Sequence, residues 1–204
     1  VLIDLSELQR DALGEIFNIG VGRAAVSLSQ IVDDEIKLSA PVVEILARPQ
    51  VIEMLRANTT GRLSSVRQDF HGALDASGLL IFPEINAIEI VRRMVGSDLT
   101  PEVFCEYESE AMSEVGNIIL NACVSSLANM MNISLDSDFP VHNTGDYHSI
   151  IPDSPEMPVI LLIHIDLIIS KQNLNGNILF LISVKSLQSL LDYLDQYLVS
   201  QGLV

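Results

Sequence analysis

Two short runs carry side chains whose type and spacing could do chemistry together. Asp11-Ala-Leu-Gly-Glu15-Ile-Phe-Asn18 places three polar groups at i, i+4 and i+7. On an α-helix their directions fall within an arc of about 60°, so they form one narrow strip. Glu110, Glu114 and Asn117 repeat that strip, and in both copies 22 residues separate the Asn from a proline, Pro41 or Pro140. A carboxylate is suited to pairing with a cation. A carboxamide offers an acceptor and two donors, and can therefore hold a water without placing negative charge beside a phosphoryl group. An acidic face on a single helix is ordinarily just solvated. A face that recurs with the same downstream spacing carries a task.

Few other residues compete for a chemical role. Gly20-x-Gly22 lies inside a helical stretch with no strand before it, which favours close helix packing over a phosphate loop. His71, His142, His148 and His164 show no metal-ligand spacing, and no bound metal is expected. Cys105 and Cys123 have no basic neighbour in the sequence to lower a thiol pKa, and no nucleophile-elbow motif is present.

The strips need long helices, and the flanking sequence supplies them. Residues 5–32 have helical composition and periodicity, with Asp4 or Ser6 as the N-cap, and Leu5, Leu13, Ile16, Phe17 and Leu28 point away from the polar strip. A strand follows over residues 35–44 with Pro41 inside it, then a short helix over 51–57 and strands at 63–66 and 72–82. A helix from Pro83 to Met94 stops near Gly96, and Gly96-Ser97-Asp98 closes the first half. The plan recurs beyond Thr100: a helix over 101–131, strands at 133–141, 159–169 and 177–184, and a helix to Leu198. The motif residues repeat at an offset of 99, and Leu79 and Ile81 meet Leu179 and Leu181 at an offset of 100.

These elements predict an α+β fold: one domain over residues 1–204, made of two pseudo-symmetric helix-strand-strand-helix repeats, about 1–98 and about 99–204. Half-size units would bury little apolar surface alone, so the repeats are expected to share a sheet and a core.

The pattern of Asp or Ser, Glu, Asn and Pro at this spacing resembles the signature of the CheC/CheX/FliY chemotaxis phosphatases, CheC and FliY above all because two copies are present. Asp11, Glu15, Asn18 and Pro41 match it in full. The second copy matches at Glu114, Asn117 and Pro140, with Glu110 where the family has Asp or Ser. The resemblance implies a CheC-like fold and hydrolysis of the aspartyl phosphate of a CheY-like response regulator. Asn18 and Asn117 would position the attacking water, and Glu15 and Glu114 would pair with the receiver's active-site Lys. Asp11, Pro41, Glu110 and Pro140 would support them. The protein would need no cofactor of its own, Mg²⁺ being held by the receiver, and a CheD-like deamidase is a candidate second partner. A non-catalytic adaptor is the alternative. The chain is too short for the added switch domain of FliY, so a structural switch component is disfavoured.

Composition agrees with a protein partner. With 11 Lys plus Arg against 27 Asp plus Glu, the formal charge is −16, which repels nucleic acid and anionic lipid. The apolar run 159–169 is interrupted by His164 and Asp166 and is too short to span a bilayer, and the N-terminal residues lack a basic signal region. A cytoplasmic protein is expected. Finally, Glu110 reaches farther than Asp11, and Asn121 is bulkier than Gly22 one turn beyond each motif Asn. On reach and bulk, both sites are expected to work and the Glu15/Asn18 site to be the faster.

Overall fold

A computed structural model of the chain describes residues 5–39, 41–58, 61–96, 101–153, 155, 158–169 and 172–203. Helix α1 (Glu7–Val32) begins with a reciprocal cap, in which Ser6 Oγ accepts from the Gln9 amide at 3.2 Å and Gln9 Oε1 accepts from the Ser6 amide at 3.0 Å. Ser6 is thus the cap, while Asp4 lies outside the described residues, as do Ser97 and Asp98. The helix ends at Asp33 in the left-handed conformation. Leu5, Leu13, Ile16, Phe17 and Leu28 are all buried, leaving the polar strip to solvent as its periodicity demands.

Then come β1 (Ile36–Leu38), β2 (Val42–Ala47), α2 (Arg48–Asn58), β3 (Leu63–Gly72), β4 (Ala76–Pro83) and α3 (Glu84–Val95). The second series is α4 (Pro101–Met131), β5 (Leu135–Ser137), β6 (Val141–Gly145), α5 (Tyr147–Ile150), β7 (Val159–Ile169), β8 (Gln172–Ile182) and α6 (Val184–Ser200). Several boundaries differ from the sequence expectation. The single strands expected over 35–44 and 133–141 are each two strands, because a proline has no N–H and a fixed φ: pairing stops short of Pro41 and Pro140 and resumes just after them. Strand β3 runs on to Gly72 and β4 starts only at Ala76, since the polar run Arg67 to Asp69 still alternates between the two sheet faces. Strand β8 begins five residues earlier than its apolar segment, held by pairing with β7 out to Ile169 opposite Gln172. The short α5, capped by Asp146 Oδ1 accepting from the Ser149 amide, was not foreseen.

The strands of the described residues join one eight-stranded sheet ordered β1-β7-β8-β4-β3-β5, with β2 also on β7 and β6 also on β3. Hairpins β3–β4 and β7–β8 meet at the centre, where Leu79 lies opposite Leu179. The short strands of each half add to the hairpin of the other: β1 and β2 to β7, β5 and β6 to β3. Neither half can close its sheet without the other. One face carries α1, α3, α4 and α6 over the main core, including Phe17, Phe70, Phe82 and Phe180. The opposite face carries α2 and α5 over a smaller cluster of Val51, Leu55, Leu63 and Ile81. Helices α1 and α4 pack against each other at Gly20, where an added Cβ would lie 2.8 Å from the Cys123 Cα.

Candidate functional site

The motif residues sit on α1 and α4. On α1, Asp11, Glu15 and Asn18 are all exposed. A Cβ built on the neighbouring Gly14 would lie 4.0 Å from the Pro41 carbonyl oxygen, so the proline of the first copy stands beside its helix. Glu110, Glu114 and Asn117 of α4 and Pro140 of the β5–β6 connection line one groove of about 690 Å³ together with Gln68, Ser113, Ser137, Asp138 and Phe139. Folding therefore brings the second-copy residues into one site, although Asn117 and Pro140 are separated by the turn after α4 and by β5.

The two sites differ in the setting of the Asn. Asn18 makes no side-chain hydrogen bond among the described residues and is exposed. Asn117 is half-buried, and its Oδ1 accepts from Asn121 Nδ2 at 2.7 Å and from Gln68 Nε2 at 3.5 Å. Gln68 is 1% exposed and also donates to the Asp138 carbonyl at 2.9 Å, tying β3 to the loop that carries Phe139 and Pro140. Sequence reasoning missed Gln68. The signal was present: Val66, Gln68 and Phe70 share the inward face of β3, and an amide at a core-facing register must find a partner.

The groove is acidic. Glu110, Glu114 and Asp138 line it, and Asp138 Oδ2 lies 3.4 Å from His71 Nε2, with Asp75 on the other side of the ring at 3.6 Å. The hydrogen bond to Asp138 holds the His71 pKa above its ordinary value, with the charges of Asp138 and Asp75 acting in the same direction against partial desolvation. Phe139, at the rim, is 92% exposed, an unusual position for a phenyl ring and a ready contact for a protein surface.

Other reactive groups stay apart. Cys123 is fully buried against α1, and burial pushes its thiol up to about 12, so no thiolate forms near neutral pH. The Cys105 side chain lies outside the described residues. His142 bonds Ser64 Oγ at 2.9 Å, and burial lowers its pKa. His164 bonds Asn177 Oδ1 at 2.9 Å, and His148 meets Arg56 at 3.3 Å. Among the described residues no group of three His, Cys, Asp or Glu side chains is placed to hold a metal ion, and no helix is long and apolar enough to cross a membrane.

Comparison with known proteins gives this arrangement a context. Residues 8–45, which span the first motif from Asp11 to Pro41, match the CheC-like family. The chain is 26% identical over 139 residues to the CheY-P phosphatase CheC of Bacillus subtilis, covering 67% of this chain and 66% of CheC. It is also 26% identical over 140 residues to the flagellar motor switch phosphatase FliY of the same organism, covering 67% of this chain but only 36% of FliY. In fold it is similar to Thermotoga maritima FliY, with a TM-score of 0.73 at 20% identity over 96% of this chain and all of that one. The FliM middle domain of H. pylori has a TM-score of 0.65 at 11% identity, covering 93% and 99% of the two chains. CheX in the CheX–CheY–BeF3–Mg²⁺ complex of Borrelia burgdorferi gives a TM-score of 0.52 at 15% identity, covering 83% and 96%. In motif and in fold alike, the chain resembles the CheC/CheX/FliY phosphatase family.

Proposed function

We propose that the chain is a cytoplasmic phosphatase that docks a phosphorylated CheY-like response regulator and hydrolyses its aspartyl phosphate. The observation that carries this reading is the pair of Glu-x-x-Asn strips, each presented beside its own proline, the second of them lining an open groove. An aspartyl phosphate is an activated acyl phosphate, and the receiver supplies Mg²⁺ and Lys. What a helper protein must add is chiefly a water held in line with the scissile bond. Asn18 or Asn117 holds that water. Glu15 or Glu114, one turn earlier on the same exposed face, pairs with the receiver's Lys and sets the register of the two proteins. At the second site Phe139 gives the encounter an apolar anchor among charges. The strong negative charge of the chain favours a partner whose docking face is cationic.

A binding-only reading has one observation in its favour, the likeness in fold to the FliM middle domain. One experiment separates the two. Loss of phosphate from a purified CheY-like phospho-receiver is followed with and without the chain, and binding is measured with the receiver carrying beryllofluoride in place of phosphate. The phosphatase accelerates the loss, and Asn18→Ala with Asn117→Ala reduces that acceleration by roughly 10²-fold or more while binding persists. Binding without any acceleration by the unaltered chain would establish the adaptor, and undiminished turnover in the double variant would remove the asparagines from the chemistry.

A further inference from the structure

Three carboxamides meet at the second motif, and two main-chain carbonyls fix which way each of them points. Asn121 Nδ2 donates to the Asn117 main-chain oxygen at 2.9 Å, so the nitrogen of that amide faces Asn117. Gln68 Nε2 donates to the Asp138 carbonyl at 2.9 Å, so its nitrogen is fixed as well, and its Oε1 lies 3.3 Å from Asn121 Nδ2, whose two hydrogens are directed at the Asn117 oxygens. With two donors directed at it, the Asn117 carboxamide must turn its oxygen inward, where it accepts from Asn121 at 2.7 Å and from Gln68 at 3.5 Å. Its Nδ2 then has no protein partner among the described residues, although the side chain lines the groove.

We propose that Gln68 and Asn121 are positioning residues that clamp Asn117 with its Nδ2 turned to the groove, making the second motif a pre-set hydrogen-bond donor while Asn18 must be ordered by the ligand. The inference rests on the phosphatase reading for its kinetic consequence, though not for the clamp itself. At the first motif the residue one turn after Asn18 is Gly22, which has no side chain to hold it, and Ile163 and Ile165 stand on the inward face of β7, the strand that receives β2 as β3 receives β6. A held amide has surrendered its rotamer freedom before the receiver arrives. Ordering a free side chain on binding is worth roughly a 2- to 10-fold factor in rate. The ranking expected from side-chain bulk is reversed: Asn121 does not fill the approach to Asn117 but folds back onto it, and the second site is the faster.

The test joins a structural and a kinetic measurement on the full chain. Side-chain ¹⁵N relaxation of the Asn amides gives Asn117 a higher order parameter than Asn18, and Asn121→Ala brings Asn117 down to the level of Asn18. In an Asn18→Ala background, Asn121→Ala lowers kcat roughly 2- to 10-fold and leaves the KM for phospho-receiver within about 2-fold, as expected of a lost clamp and not of a lost contact. Conversely, Gly22→Asn in an Asn117→Ala background raises kcat at the first site, since a Cβ on Gly22 meets nothing within 4 Å. Equal order parameters for Asn18 and Asn117 in the unaltered chain overturn the proposal, whatever the fate of the variants. So does a kcat unmoved by Asn121→Ala. If the unaltered chain dephosphorylates no receiver, the phosphatase reading falls, and the order parameters alone decide whether the clamp exists.

Discussion

At Gly20 the two motif-bearing helices pack backbone against backbone, and replacing it with Ala tests whether that approach is required. An added Cβ would stand 2.8 Å from the Cys123 Cα, 2.9 Å from the Ala122 carbonyl oxygen and 3.1 Å from the Cys123 amide nitrogen. Non-bonded carbons rest at about 3.5–4.0 Å, so the methyl arrives about 0.7 Å or more too near. The obstacle is backbone on a long helix, not the far end of a side chain, and it yields only if α1 and α4 move apart. Overpacking of this kind costs about 1–3 kcal/mol, against which the better helix propensity of Ala returns about 1 kcal/mol. Gly22→Ala is the control, because it has the same propensity gain and open space around it. The two variants should therefore differ by about 1–3 kcal/mol, with Gly22→Ala the more stable. For a chain of this size that corresponds to a separation of about 2–12 °C in Tm. Thermal and urea unfolding would both show it. A Gly20→Ala variant as stable as Gly22→Ala would refute the close crossing and with it the account of why a glycine stands there.

Glu15→Lys and Glu114→Lys, made together, should weaken binding of a beryllofluoride-loaded receiver, because each replaces an attraction to the receiver's Lys with a like-charge clash. An unchanged Kd by calorimetric titration would exclude the contact. The His71 imidazole should titrate above about 6.5 by NMR, and Asp138→Asn should bring the midpoint down by removing its main stabilising partner. Because its folded pKa is raised, any stability that the His71–Asp138 pair contributes is present below the unfolded pKa and lost as pH rises through the folded one. A midpoint unmoved by Asp138→Asn would mean that the pair does not form in solution.

How much of this was legible in the sequence depends on the range over which each feature is decided. Helix α1 was readable because its determinants are local: a Ser6-x-x-Gln9 cap, apolar residues at helical spacing and a polar strip on one side. Its burial follows the periodicity residue by residue. The recurrence of Glu, Asn and Pro at fixed spacing likewise needed no structure, and it pointed to the groove that Glu114, Asn117 and Pro140 share. The prolines were seen but their consequence was misjudged, since a residue that cannot donate ends one ladder and lets another begin, making two short strands of each expected one. That those short strands cross over to the opposite hairpin could not be read at all, because strand partnership is settled between residues far apart in the chain, such as Ile36 with Ile169 and Phe70 with Ser137. The same holds for the inequality of the sites. Asn121 and Gly22 were visible as a difference in bulk, but whether a side chain blocks an approach or folds back onto its neighbour depends on what else it can bond. Gln68 decides that from a strand some fifty residues away, with the Asp138 carbonyl fixing its own orientation. The sequence determined which residues face outward on each helix. Only the tertiary structure determined which of the two asparagines is held, because the orientation of an amide is set by partners that the fold brings to it.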